Sequence, residues 1–220
     1  AGLAFGGGNG SNDLSCTEEY NGAAWSTAGV GPLSTARQSL AGAGTQTAAI
    51  AFGGFGGGVL QTTTEEYNGA TWGSGGVLST GRTGLAGAGT QTAGLAFGGY
   101  AATGLVTCTE EYNGTSWSTA GVGVLATARY NLAGAGTQTS ALAFGGSLGG
   151  SNYLTLTEEY SPSTTLALTK TFDYSGSTGA VILSQVSSSL NFTDDTAAAT
   201  GGIPLGGLYR NGNFIVIRLT

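Results

Sequence analysis

A set of short motifs that returns every 45 to 48 residues constrains this chain more than anything else in it. AGLAFGG at 1–7 returns as AAIAFGG at 48–54, AGLAFGG at 93–99 and SALAFGG at 140–146. TEEY stands at 17–20, 64–67, 109–112 and 157–160, and LAGAGTQT at 40–47, 85–92 and 132–139. Trp25, Trp72 and Trp117 each follow a Tyr by five positions; Arg37, Arg82 and Arg129 follow those Trp by twelve, ten and twelve. A period of this length marks one supersecondary unit copied in series, each copy burying its apolar face against the next.

Each unit reads as four short strands. LAGAGTQT leads into the apolar run ending in Phe-Gly-Gly, giving one hairpin; the next run ends in TEEY, followed by Asn-Gly and a Trp segment. Asn21-Gly22, Asn68-Gly69 and Asn113-Gly114 predict tight type I′ turns, with φ > 0 at both central residues. Gly interrupts every stretch, so no apolar 3.6 period survives and no helix is expected. The Gly pairs are expected where strands crowd too closely for a side chain. Phe5, Phe52, Phe97 and Phe144 should fill the space between units, with Tyr and Trp further out and their polar tips bonded. The repeated Arg should pair with a Glu of TEEY; alternation sends the two Glu to opposite faces, which leaves open which one it takes.

Composition narrows the function. The chain has 43 Gly but only 3 Pro, and 40% apolar residues, enough for a core; regularly spaced aromatics argue against disorder. The net charge is −6, and the six basic residues are scattered, whereas a nucleic-acid groove needs clustered positive charge. No apolar run approaches the ~20 residues that cross a bilayer. The first residues, AGLAFGG, carry no Met, basic patch or signal-peptide core. They begin in mid-repeat, which reads as a processed or truncated chain, or an array whose earlier repeats lie elsewhere.

Four strands per unit with Gly-Gly after an apolar strand is the pattern of a propeller blade. Gly53-Gly54, Tyr67, Trp72 and Arg82 resemble the kelch family, whose blades carry a Gly pair, a Tyr, a Trp at a set distance and an Arg. The resemblance covers 1–160, with a Tyr-to-Trp gap shorter than in the usual kelch unit. It implies an all-β, kelch-like β-propeller with units beginning near 1, 48, 93 and 140. The count is three and a half: the first unit lacks its LAGAGTQT strand, and no Trp follows Tyr160. A small four-bladed ring, a ring completed by another chain and an array within a longer parent protein all fit; missing or shared repeats rank ahead of the small ring.

From Ser161 the composition shifts. Pro162 and a Ser/Thr stretch read as a linker into a small β-rich domain, 161–220, with strands in TKTFDYSG, AVILSQV, SSLNFT and NFIVIRLT and a hairpin turn at Arg210-Asn211-Gly212-Asn213. Its size is marginal for folding alone, which suits anchoring or oligomerisation. Units of the form TEEYNG-x-x-W with LAGAGTQTA-x-LAFGG resemble tandem-repeat proteins of marine bacteriophages, including those of cyanobacterial hosts. GGIPLGGLYRNGN resembles terminal segments of phage virion proteins. The resemblance implies a virion component (tail fibre, head fibre or capsid decoration), partnered by other virion or surface subunits, as a homo-oligomer, and by a host glycan or surface protein. The alternative is a secreted or cell-surface carbohydrate-binding adhesin of a marine bacterium.

Catalysis is not expected. With no His there is no Ser-His-Asp triad, no Cys-His pair and no usual zinc or copper set, so neither a metal nor another cofactor is expected. The Glu pairs recur in every unit, which makes them scaffold rather than a glycosidase dyad. GAGT at 42–45, 87–90 and 134–137 lacks the Lys-Ser/Thr and the helix of a phosphate loop. Cys16 and Cys108 occupy equivalent positions two units apart, too far for a disulfide, and read as two buried free thiols. Segments 8–13, 55–62, 100–106 and 147–154 vary between units, so the fold does not dictate them. They fall on one set of rim loops, which makes Asn12, Asp13, Tyr100, Asn152 and Tyr153 the binding candidates.

Overall fold

The computed structural model describes residues 1–162, 208–211 and 214–217. The chain divides into two compact units, Ala1–Leu166 and Ala167–Thr220. Among the described residues there is no helix, hence none long and apolar enough to cross a membrane; the protein is all-β, built from small antiparallel sheets.

Four sheets follow the sequence period. The first holds β1 (Gly2–Phe5), β2 (Thr17–Tyr20) and β3 (Trp25–Ser26). The second holds β4 (Ala41–Thr45), β5 (Ala48–Phe52), β8 (Thr64–Tyr67) and β9 (Trp72–Ser74), with the hairpin β6 (Phe55–Gly56) and β7 (Val59–Leu60) inserted after β5. In the third, β11 (Ala86–Gly89), β12 (Gly94–Phe97), β15 (Thr109–Tyr112) and β16 (Trp117–Ser118) repeat that order. A side sheet of β10 (Arg82–Thr83), β13 (Tyr100–Ala101) and β14 (Gly104–Leu105) flanks it. The fourth holds β17 (Ala133–Thr137), β18 (Ser140–Phe144) and β19 (Thr157–Tyr160). In the second unit, β20 (Leu208–Asn211) and β21 (Phe214–Ile217) pair from Leu208–Ile217 to Asn211–Phe214, where a hairpin is expected. The strands expected within 169–193 lie outside the described residues.

Register is the same in every sheet: Phe52 faces Thr64, Phe97 faces Thr109, and Phe144 faces Thr157 across the ladder. Successive sheets then pack in chain order through two apolar layers. Ile50, Phe52 and Ala96 meet Tyr112 and Trp117 between the second and third sheets. Leu95 and Phe97 meet Ala141, Ala143 and Tyr160 between the third and fourth. The leading strands β4, β11 and β17 lie side by side. A Cβ on Gly87 would stand 2.6 Å from the Gly42 carbonyl oxygen, and one on Gly134 2.7 Å from that of Gly87. This is where strands crowd. The Phe-Gly-Gly pairs are crowded too: a Cβ on Gly53 would stand 2.9 Å from the Arg82 carbonyl oxygen and one on Gly54 2.8 Å from that of Gln38. Gly53 and Gly54 also take φ of 65° and 99°, and Gly54 N–H bonds the Arg82 carbonyl at 2.9 Å, turning the chain tightly against the next linker.

Each linker Arg is buried and binds the first Glu of TEEY, at 3.2 Å for Arg37–Glu65, 3.1 Å for Arg82–Glu110 and 3.1 Å for Arg129–Glu158. The approach is too oblique for a hydrogen bond, so the attraction is Coulombic. Nη2 of Arg37, Arg82 and Arg129 instead donates to the carbonyls of Ala51, Ala96 and Ala143, and the other carboxylate oxygen accepts the N–H of Ser34, Ser79 or Ala126. Burial lowers the Arg37 pKa from its ordinary value, opposed by the Glu65 charge. The second Glu points the other way and receives a Tyr hydroxyl from the following sheet: Tyr67 to Glu19, Tyr112 to Glu66 and Tyr160 to Glu111, at 2.9, 2.6 and 2.8 Å.

Two expectations are corrected. The turns after TEEY are not type I′. Gly22, Gly69 and Gly114 take positive φ, but Asn21, Asn68 and Asn113 do not, because Tyr67 pairs with Trp72 and leaves a four-residue connection. The Asn side chain is used instead: Asn68 Oδ1 accepts the N–H of Ala70 and Thr71 at 3.0 and 2.9 Å, the local mimicry of a backbone turn that Asn favours. The thiols are free but not buried; Cys16 is exposed and Cys108 half-buried, because the residue before each TEEY lies outside the strand ladder.

Candidate binding cleft

The variable loops are held by the residue that follows each Arg. Gln38 bridges to Phe55, Thr83 pairs with Tyr100, and Tyr130 bridges to Ser147. In the third unit, Tyr100 on β13 lies between Thr83 on β10 and Leu105 on β14. In the fourth, the Tyr130 N–H donates to the Ser147 carbonyl at 3.1 Å, and the Tyr130 carbonyl accepts the Ser147 N–H at 2.9 Å. Buried Ser147 then closes its own loop: Oγ donates to the Asn152 carbonyl at 3.1 Å and accepts the Gly149 N–H at 3.0 Å.

Between these two loops opens a cleft of about 310 Å³ lined by Thr83, Tyr100, Leu105, Tyr130, Leu148 and Gly149. The Tyr100 and Tyr130 rings meet edge to face, with centroids 6.3 Å apart and planes at 63°. Tyr100 is 47% exposed and Tyr153, on the adjoining loop, 77%. No lining residue is ionisable near neutral pH, so the cleft offers aromatic faces, two phenol hydroxyls and a Thr hydroxyl to an uncharged ligand. Arg37, Arg82 and Arg129 are committed to carboxylates, and the lining residues bring no cation to draw an anion.

The loop residues singled out in the sequence divide accordingly. Tyr100 lines the cleft, and Asn152 and Tyr153 belong to the loop that forms its far wall. Asn12 and Asp13 lie two units away, on a loop held by Asn9 Oδ1, which accepts the N–H of Ser11 and Asn12 at 3.1 and 2.8 Å. Tyr130 escaped notice because it sits on the linker, outside the variable segments. The same comparison between units exposes it, since its counterparts are Gln38 and Thr83. Among the described residues no three His, Cys, Asp or Glu converge as a metal site would require.

No protein-family model matches the chain, and no curated protein matches it.

Proposed function

We propose that the chain is a non-catalytic recognition and assembly protein, a kelch-like propeller array in a phage virion (fibre, tail or capsid decoration), which holds a neutral host-surface glycan at the Tyr100–Tyr130 cleft. The observation that carries this reading is the division of labour among residues. Contacts that recur in every unit are consumed in holding sheets together, while the cleft lies where the units differ most. A sugar presents C–H faces to tyrosine rings and hydroxyls to their phenol groups, which suits an uncharged aromatic cleft. Partner subunits meet the exposed end of the fourth sheet, where Leu142 and Phe144 lack the cover that Ile50 and Phe52 have. Residues 161–220 anchor the array or join it to further copies.

Binding is tested by titrating the protein with neutral and sialylated oligosaccharides and following chemical shifts. A neutral glycan should bind saturably, with Tyr100→Ala and Tyr130→Ala each weakening it about tenfold, a loss of roughly 1.4 kcal/mol. Equal binding by these variants, or preference for the anionic sugar, would sink the cleft assignment. Absence of the protein from purified phage particles would sink the virion assignment.

A further inference from the structure

The sheets of this chain meet through joints with two unlike sides. On one side stand large residues, Ile50 and Phe52 or Leu95 and Phe97, each at most 3% exposed beneath the sheet that follows. On the other stand small residues, Ala96 or Ala141 and Ala143, together with hydrogen-bond donors. Between the second and third sheets, Tyr112 donates to Glu66 at 2.6 Å and Trp117 to Thr64 at 2.9 Å, and the Trp117 ring meets Phe52 edge to face at 4.8 Å. The first and fourth sheets each leave one side of such a joint open. On the fourth, Leu142 and Phe144 are both 39% exposed, and Thr157 and Glu159, the counterparts of Thr64 and Glu66, are exposed with them. On the first, Ala4 is exposed where Ala51, Ala96 and Ala143 are buried, and Trp25 is 50% exposed. Its ring already lies 5.2 Å from that of Tyr20, much as Trp72 lies 5.0 Å from Tyr67. The Tyr20 hydroxyl, however, turns back on the Gly22 carbonyl of its own loop at 3.0 Å.

We propose that the first sheet of one copy docks on the fourth sheet of another, remaking between molecules the joint that holds the sheets together within one. The inference rests on the assembly reading above and names its partner as a second copy of this chain. In the docked pair Trp25 meets the second copy's Phe144 and donates to its Thr157. Tyr20 swings from Gly22 to its Glu159, and Gly2 and Ala4 receive its Leu142 and Phe144. The match is part by part: donors face acceptors and small residues face large ones, in the arrangement already used inside the chain. Covering two exposed apolar side chains supplies the drive for contact. The two surfaces differ, so the contact is heterologous and joins copies head to tail rather than about a two-fold axis.

Sedimentation velocity on the full chain at rising concentration tests the joint, and the mass is expected to grow past that of a dimer. Trp25→Ala blocks one end and Phe144→Asp the other. Neither side chain belongs to an internal joint, so both variants should keep the cooperative urea unfolding of the original. Each variant alone should be a monomer. An equal mixture of the two should form a dimer and stop there, since only one pair of intact ends remains. Tyr20→Phe should weaken association about five- to tenfold. Self-association that survives in either variant alone, or a mixture that stays monomeric while the original associates, overturns this joint but leaves assembly through another surface standing. A chain that stays monomeric at every concentration overturns the joint and the homo-oligomeric reading together.

Discussion

Among the described residues, an arginine with no access to solvent appears three times, each time against one carboxylate and one backbone carbonyl. Removing such a charge from water costs several kcal/mol, which the pair offsets only through its attraction and the N–H groups that hold the carboxylate. Loss of one partner leaves the other charge buried alone. Arg82→Met should therefore lower stability by about 3–5 kcal/mol in urea unfolding; a loss under about 1 kcal/mol would mean that the pair is not the keystone of its sheet. Glu158→Gln should cost less than Glu110→Gln, because Glu158 is 21% exposed and Glu110 not at all. The spacing of Arg and Glu made this pairing legible, but not the choice between adjacent Glu. That choice depends on which face of the strand meets the linker, and ladder register decides it: Ala51 stands opposite Glu65, so one guanidinium reaches the Ala51 carbonyl and the Glu65 carboxylate together.

At the scale of strands, close approach sets the rules. Gly87 on β11 leaves no space for a methyl group between the Gly42 carbonyl and the Phe52 ring, 2.6 and 2.7 Å from a built Cβ. Gly87→Ala should destabilise by about 1–3 kcal/mol, the cost of overpacking. Gly73→Ala, whose nearest contact is 4.0 Å away, should be neutral or slightly stabilising; equal effects in urea unfolding would refute a packing origin for the glycines. The four strands of a complete unit and the hairpin after TEEY were readable from alternation and from Asn-Gly. The turn type was not, because Asn-Gly fits both a two-residue turn and a longer one in which Asn lends its side chain. The Gly pairs announced crowding, which the 2.8 Å from a Cβ on Gly54 to the Gln38 carbonyl oxygen bears out, but not the positive φ that goes with it.

At the scale of the molecule, the hydroxyls of Tyr67, Tyr112 and Tyr160 tie sheets together and make the repeat array sensitive to base. Burial, then the bond to Glu19 and its charge, push the Tyr67 hydroxyl up to about 12; burial and their own Glu partners also raise Tyr112 and Tyr160. Tyrosine in an unfolded chain titrates near 10, so the folded state holds these protons more tightly. Their contribution is complete below about pH 10 and is lost as pH climbs toward about 12. The urea midpoint should stay flat from about pH 7 to 9 and fall steeply above about 10; a flat profile to about 11.5 would contradict this. The repeat revealed the units, but their joints required the structure, since Glu19 and Tyr67 are 48 residues apart and only stacking brings them together. These joints share a direction. Tyr67, Trp72 and Gln91 each donate to the sheet before their own, and Tyr112, Trp117 and Gln138 do the same one unit later. During synthesis, each sheet that leaves the ribosome thus already displays the acceptors that the next will seek. Docking through these joints can advance in step with translation, while each linker Arg still awaits the Glu of the sheet that follows it.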